Sequence, residues 1–125
     1  MILMLAMTLT AAAMSAQTEK TDVMTKQKDG TYVINTTTLS TAKGYRAQVP
    51  LEVTVKKNKI VKVTALPNKE TPKYFMLIKN DMLPKYEGLK ITDHESVDGI
   101  TGATISSNAV KANVKAAVDY YQKNK

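Results

Sequence analysis

The residues with the most distinctive chemistry lie at 98–104, where the sequence reads Asp-Gly-Ile-Thr-Gly-Ala-Thr. This stretch combines two glycines, two threonine hydroxyls and one carboxylate. Glycine lets a backbone approach a ligand closely. A helical pattern follows directly, and the first turn of a helix presents unpaired N–H groups and a partial positive charge. The stretch therefore suits a phosphate group, although small-residue turns before helices also occur without any ligand.

Few other residues could carry chemistry on their own. His94 is the only histidine, and Asp93 and Glu95 lie beside it. Adjacent side chains point in different directions, so we interpret this segment as a surface loop and predict no metal site. The chain has no cysteine, which excludes disulfides, a thiol nucleophile and thiolate ligands. No nucleophile is paired with a recognisable general base, and we predict no catalytic residue.

Three segments predict β-strands. Residues 31–38 are rich in β-branched and aromatic side chains, while 49–57 and 59–66 alternate apolar with polar residues. Asn58 separates the last two segments and tolerates a positive φ, which predicts a tight hairpin. The alternation indicates an antiparallel sheet with one face in the core and the other near solvent.

Two segments predict helices. Thr71 followed by Pro72 is typical of a helix start, and apolar residues continue to about 83, just before a proline. A wide apolar stripe predicts a second helix over 106–122. Its possible N-caps are Ser106, Ser107 and Asn108. The predicted fold class is therefore α+β, a small antiparallel sheet of about four strands packed against helices, with the 98–104 loop preceding the C-terminal helix.

The N-terminal 30 residues have a different composition from the rest. Residues 1–16 are uncharged and apolar or small, as in the core and cleavage regions of a secretory signal peptide. They lack the basic start that is usual for a signal peptide. Because they are also short of the ~20 residues of a spanning helix, an uncleaved N-terminal anchor is the second alternative. Residues 17–30 are polar and predict a linker, which leaves 31–125 as one domain. We expect export to the periplasm or to the outer face of the cytoplasmic membrane.

The chain of 125 residues carries a net charge of +7, almost entirely from lysine. A basic domain can bind nucleic acid, an anionic membrane surface or a phosphorylated cofactor. Arg46 is the only arginine and the lysines are dispersed, which argues against nucleic-acid binding. Most of the lysines are interpreted as a solvated surface, and a membrane surface held by lysines remains an alternative.

The 98–104 sequence resembles the flavinylation signature of FMN-binding domain proteins, which is Asp, two spacer residues, Ser or Thr, then Gly-Ala-Thr. The matching residues are Asp98, Thr101, Gly102, Ala103 and Thr104, with Gly99 and Ile100 as the spacers. The family includes subunits of the sodium-pumping NADH:quinone reductase and of Rnf complexes, and small exported flavoproteins. The resemblance implies that FMN is esterified through its phosphate to Thr104. It also implies a separate flavin transferase, which uses magnesium and FAD and recognises Asp98 and the Gly-Ala-Thr.

Members of this family often carry Glu-Thr-Pro near the flavin, and here Glu70, Thr71 and Pro72 match it. The resemblance therefore implies that Glu70 and Thr71 lie near the cofactor, while a plain helix cap is an equal interpretation. Tyr45 and Tyr74 are the candidates to pack on the flavin ring. The lysines of the hairpin could offset the charge of a reduced flavin or dock an acidic partner.

The function implied by the resemblance is extracytoplasmic electron transfer by covalent FMN. The redox partner would be another protein or a membrane electron-transport complex. Covalent attachment suits a compartment without an FMN pool, so the signal-like segment and the attachment motif agree. Two alternatives remain open: a non-catalytic exported binding or assembly module of a membrane redox complex, and a small flavin-dependent reductase.

Overall fold

The computed structural model describes residues 23–125, so the predicted signal peptide or anchor lies outside the described residues. Four strands are followed by two α-helices. Their bounds are β1 Met24–Lys26, β2 Tyr32–Asn35, β3 Leu51–Lys56, β4 Lys59–Ala65, α1 Pro72–Leu77 and α2 Thr104–Asn124. The strands form one antiparallel sheet in the order β1-β2-β3-β4, and the predicted α+β class is confirmed.

The sheet begins earlier than the sequence pattern predicts. Strand β1 lies inside the segment that was predicted as a linker, and Met24 pairs with Ile34 of β2. This strand has three residues and only one of them is apolar, so no alternation could reveal it. The backbone hydrogen bonds to β2 hold β1 in place, including one from the Asn35 N–H to the Val23 carbonyl at 2.7 Å.

The predicted hairpin between β3 and β4 is confirmed. Lys57 and Asn58 form its two-residue turn with φ of 53° and 62°, the backbone that a tight right-twisted hairpin needs. The pairing passes from Val63 and Lys62 directly to Ile60, which leaves Val61 as an extra residue in β4. This bulge explains why Ile60 and Val63 are both buried while Val61 is 46% exposed.

Helical structure continues past the predicted stop at Pro84. A π-helical turn at Ile78–Met82 follows α1, and a 3-10 turn at Leu83–Tyr86 follows that. Pro84 lies in the first turn of the 3-10 segment, where a missing N–H costs nothing. The predicted end of the helix was therefore wrong. The residues that this stretch buries in the core are Phe75, Ile78, Met82, Leu83 and Tyr86.

The segment around His94 is not a plain surface loop. Residues Ile91–Ser96 form a 3-10 turn with Ile91 buried, which corrects the prediction. Just before it, the Gly88 N–H donates to the Ile60 carbonyl, and the Ile60 N–H donates to the Leu89 carbonyl, both at 2.7 Å. The 88–91 segment thus covers the free edge of β4.

Helix α2 packs across the sheet and connects two ends of the molecule. Val110, Val114 and Ala117 are fully buried on its inner face. Near its end, the Tyr121 hydroxyl donates to Asn58 Oδ1 at 2.9 Å, so the hairpin turn lies at the C-terminal end of α2. At 1.5 Å per residue, Thr104 and Tyr121 are about 25 Å apart. Within residues 23–125, no helix is long and apolar enough to cross a membrane.

Two methionines of one helical stretch test the core assignment. Met82 is fully buried, whereas Met76 is 57% exposed. Met82→Ala should lower the free energy of unfolding by about 2–5 kcal/mol, because it removes buried contacts and leaves a cavity. Met76→Ala is the matched control and should change it by about 0.5 kcal/mol or less. Urea denaturation followed by circular dichroism measures both, and equal effects would contradict the assignment.

Candidate functional site

A buried carboxylate, that of Glu70, lies at the centre of the site, and this residue is only 7% exposed. Its Oε1 accepts hydrogen bonds from the Tyr45 N–H at 2.8 Å and from the Ser106 hydroxyl. Its Oε2 accepts from the N–H groups of Arg46 at 2.8 Å and Ala47 at 3.3 Å. Four donors satisfy the buried charge, which would otherwise be costly. The carboxylate therefore joins the loop before β3, the start of α1 and the first turn of α2.

Local features of the sequence prepare this arrangement. Asn68 Oδ1 accepts the Glu70 N–H at 3.0 Å, which fixes the chain just before α1. Across from it, a Cβ on Gly44 would lie 2.8 Å from the Glu70 carboxyl carbon and 2.8 Å from Val49 Cγ2. Only glycine lets the loop close on the carboxylate there. The Gly44 N–H also donates to the Ala47 carbonyl at 2.8 Å, which shapes the turn that presents the three backbone donors.

Burial and hydrogen bonding act on Glu70 in opposite directions. Burial alone raises the pKa of the carboxyl group, because it disfavours the charged form. The hydrogen bonds from Ser106 and from the backbone of Arg46, Tyr45 and Ala47 outweigh burial and hold the pKa below its ordinary value of 4.5. Glu70 is therefore a carboxylate at neutral pH.

The 98–104 stretch folds as a loop that is tied to the helix behind it. The Ala103 N–H donates to the Ile100 carbonyl at 3.0 Å, and Gly102 has φ of 88°, as a turn with a left-handed third residue requires. The Ile100 N–H donates to Ser107 Oγ at 2.9 Å. A Cβ on Gly99 would lie 2.9 Å from Ser107 Cβ, so the backbone approaches the helix closely at that point.

Helix α2 begins at Thr104, earlier than predicted, and this changes the roles of several side chains. Ala103 is the N-cap and provides no side-chain hydrogen bond. Ser106, Ser107 and Asn108, which were predicted as possible caps, lie inside the helix. The hydroxyls of the two serines make the two contacts described above. The first N–H groups of α2 therefore keep their donor capacity beside Thr104, which is exposed.

A cavity of about 590 Å³ lies between this helix start, α1 and the loop before β3. Five residues predicted for the site line it: Glu70, Thr71, Gly102, Ala103 and Thr104. Both tyrosines proposed to contact a ring, Tyr45 and Tyr74, also line it. Three predicted site residues do not line it: Asp98, Gly99 and Thr101, which are exposed in the loop outside the cavity.

The sequence does not predict four of the residues that line the cavity, which are Arg46, Phe75, Ile105 and Ser106. Phe75 is 5% exposed and forms part of the floor, whereas Ile105 is 57% exposed. No local pattern marks these residues, because their shared position arises from the Glu70 contacts between distant segments.

The geometry of the site defines a class of protein. An uncapped helix start beside the exposed residue Thr104 suits a phosphate group, and the aromatic side chains that line the cavity suit a planar ring. The volume lies within the range of about 300–1,000 Å³ that is usual for small-molecule and cofactor sites. The fold and the site are those of a small binding domain for a phosphorylated aromatic cofactor.

Comparison with protein-family models matches residues 44–119 to the FMN-binding domain family. The match spans more than half of the chain, so the protein belongs to the FMN-binding domain family and binds FMN. The matched range includes every residue that lines the cavity, from Tyr45 to Ser106. Searches of curated proteins and of solved structures found no match.

The residues present fit FMN. The helix start at Thr104 and the Arg46 side chain supply positive potential for the phosphate, while Tyr45, Tyr74 and Phe75 supply surface for the ring. The space next to Gly102 is open, since a Cβ built there meets no atom within 4 Å.

Replacing Glu70 by glutamine tests the central contact. An amide has one acceptor oxygen and would turn donors toward backbone N–H groups, so Glu70→Gln should cost about 1–3 kcal/mol at pH 7. Because the pKa of Glu70 is lowered on folding, its stabilisation is present above pH 4.5 and is lost as the pH falls through the folded value.

The variant should therefore lose less stability than the original chain on acidification from neutral pH to below 4.5. Urea denaturation at several pH values measures this difference. Glu87→Gln, at an exposed glutamate, is the matched control and should follow the original chain. Parallel pH curves for Glu70→Gln and the original chain would contradict the role of the carboxylate.

Proposed function

We propose that this protein is an extracytoplasmic electron carrier whose FMN is attached covalently to Thr104 by a separate flavin transferase. The observation that carries the proposal is the position of Thr104. It is the first residue of α2, it is exposed, and it lines the cavity beside N–H groups that no side chain caps. A phosphate ester on its hydroxyl would lie at the positive end of the helix dipole.

The attachment step needs a donor and an activating enzyme. Thr104 Oγ1 forms a bond to the FMN phosphorus of FAD, the phosphoanhydride bond to AMP breaks, and AMP leaves while the hydroxyl proton passes to a base. A threonine hydroxyl is a weak nucleophile unless a base or a metal activates it. The transferase and its magnesium would supply that activation, so Thr104 acts here as the substrate of another enzyme.

The position of Asp98 supports this division of labour. Asp98, Gly99 and Thr101 belong to the attachment signature, yet they face outward in the loop rather than into the cavity. Exposed residues beside the modified threonine are accessible to a docking enzyme. The hydrogen bond from Ile100 to Ser107 holds this loop in one position relative to Thr104. Asp98 is thus assigned to recognition by the transferase, and Thr104 to attachment.

The mouth of the cavity supports electron transfer to a partner. Tyr45 is 75% exposed, Tyr74 is 54% exposed and Ile105 is 57% exposed, so these three side chains form an apolar rim along part of the opening. Bound FMN supplies one- or two-electron redox chemistry, which belongs to the cofactor itself. These side chains line the cavity and would orient the ring of bound FMN. A redox protein or a membrane electron-transport complex could dock on the rim.

The composition of residues 1–16 supports the proposed export. Residues 1–16 have the composition of a signal peptide, and covalent attachment prevents loss of the cofactor by dilution after export. Covalent attachment would therefore allow the exported protein to keep its cofactor.

The attachment is tested by the intact mass of the protein after periplasmic co-expression with a flavin transferase. The original chain should gain the mass of one FMN less one water, and Thr104→Ala should gain nothing. Thr92→Ala, at an exposed threonine outside the cavity, is the control and should be modified fully. A gain that survives Thr104→Ala would overturn the assignment. Yellow colour that is lost on dialysis would favour a non-covalent binding module.

A second variant separates recognition from attachment. Asp98→Ala should reduce the rate of flavinylation by roughly tenfold or more, since a hydrogen bond to a charged group contributes about 1.5–3 kcal/mol. Asp93→Ala removes another exposed carboxylate and should have no effect. Circular dichroism should show an unchanged fold for both. Equal flavinylation of Asp98→Ala and the original chain would refute the role of Asp98.

A further inference from the structure

A second surface feature lies at the other end of the molecule from the cofactor cavity. A cleft of about 300 Å³ opens between the hairpin turn, the 88–92 segment and the end of α2. Four lysines line it: Lys57, Lys59, Lys90 and Lys125. The remaining lining residues are uncharged. We call the four lysines together with Lys26 and Lys56 the basic end.

The lysines of the basic end are arranged in register across neighbouring strands. Lys56 of β3 is the direct partner of Lys59 of β4, and Lys59 forms an isolated bridge with Lys90. Like charges placed directly opposite one another destabilise a sheet. Between described residues, the one ion pair at this row is Lys56 with Asp29 at 3.4 Å, and their side chains are 38% and 58% exposed. Such a pair contributes little. The row therefore concentrates positive charge that the described residues barely offset.

An aromatic pair extends the basic end. The rings of Tyr32 and Tyr121 pack edge to face, with centroids 5.1 Å apart. Lys26 Nζ lies 5.6 Å from the Tyr32 centroid, and Lys125 Nζ lies 5.4 Å from that of Tyr121. These cation–π contacts hold both lysines beside the aromatic pair.

The basic end is remote from the start of α2, where the cofactor cavity lies. The hairpin turn contacts Tyr121, about 25 Å along α2 from Thr104. At this distance exposed charges are screened by salt, since the Debye length is about 8–10 Å under physiological conditions. Lysines at the hairpin turn would therefore interact only weakly with a charge at Thr104. The suggestion that hairpin lysines offset the charge of a reduced flavin stays a prediction, and the basic end is free to bind a different ligand.

We propose that the basic end docks the protein on an anionic phospholipid surface. Lysines attract such a surface without specific geometry, because each needs only to lie within a Debye length of the charged plane. A protein interface has other requirements, namely aromatic and arginine anchors in a core from which lysine is depleted. The basic end consists of lysines and has no arginine. The neighbouring tyrosines are half-buried (Tyr32) or buried (Tyr121).

Docking by this end gives the cofactor a defined orientation. Because the basic end and the cavity lie at opposite ends of α2, lipid contact at the lysines leaves the apolar rim at Tyr45 and Tyr74 accessible from the aqueous side. A soluble domain of a membrane complex, or a mobile redox protein, could then reach the cavity while the protein stays at the surface.

The test is co-sedimentation of the full chain with vesicles, using two variants that lower the net charge equally. The first replaces Lys57, Lys59 and Lys90 by glutamine. The second is the matched control and replaces Lys43, Lys69 and Lys73, three exposed lysines outside the basic end. Vesicles with phosphatidylglycerol are compared with vesicles of pure phosphatidylcholine. Every protein sample contains residues 1–16, so any membrane binding by that segment is common to all of them.

The original chain and the control variant should partition more strongly to the anionic vesicles, and high salt should remove the difference. The first variant should partition roughly 100-fold more weakly to them, because each lysine near an anionic surface contributes about a fivefold gain. Equal losses in both variants would indicate general net charge and overturn the proposal. Binding of the original chain to soluble polyglutamate, without binding to anionic vesicles, would assign the basic end to an acidic protein and also overturn it. Neither outcome depends on flavinylation, so this test is independent of the proposed function.

Discussion

The Glu70 carboxylate is the contact on which the cofactor site depends. It accepts hydrogen bonds from three consecutive backbone N–H groups and from the Ser106 hydroxyl, across 23–36 residues of sequence. A buried charge is stable only when its oxygens are satisfied, and here the donors come from segments that no other described side chain brings together in this way. The same interaction lowers the pKa of Glu70, which keeps the carboxylate ionised and the contact intact at neutral pH.

The cavity follows from this contact. Closing the loop on Glu70 places Tyr45 and Arg46 opposite α1, and the Ser106 hydroxyl anchors the first turn of α2 beside them. Thr104, an exposed residue, then lines the cavity. Helix α2 also separates this site from the lysines at the hairpin turn. One buried carboxylate and one long helix thus give the molecule two chemically different ends.

Much of the fold follows from local patterns in the sequence. Alternation in β3 and β4, the turn residue Asn58 and the Thr71–Pro72 helix start all reflect interactions between near neighbours, and the structure has each of them. Strand β1 could not be predicted because a short polar strand is stabilised by its partner rather than by its own pattern.

The site was predictable in its motifs and not in its assembly. The residues from Asp98 to Thr104 and the pair Glu70 and Thr71 stand out in the sequence, but nothing local shows that Glu70 binds a loop 25 residues before it. Ser106 and Ser107 were predicted as helix caps because a serine near a helix start is typical of a cap, and their distant partners are not visible in the local sequence. Their hydroxyls are used in tertiary contacts that exist only once the chain has folded.

The most direct test of this account is an experimental structure of the flavin-loaded protein. We expect density continuous with Thr104 Oγ1, with the flavin ring in the cavity between Tyr45 and Tyr74 and the Glu70 hydrogen bonds intact. Flavin density attached to another residue, or lying outside this cavity, would contradict it.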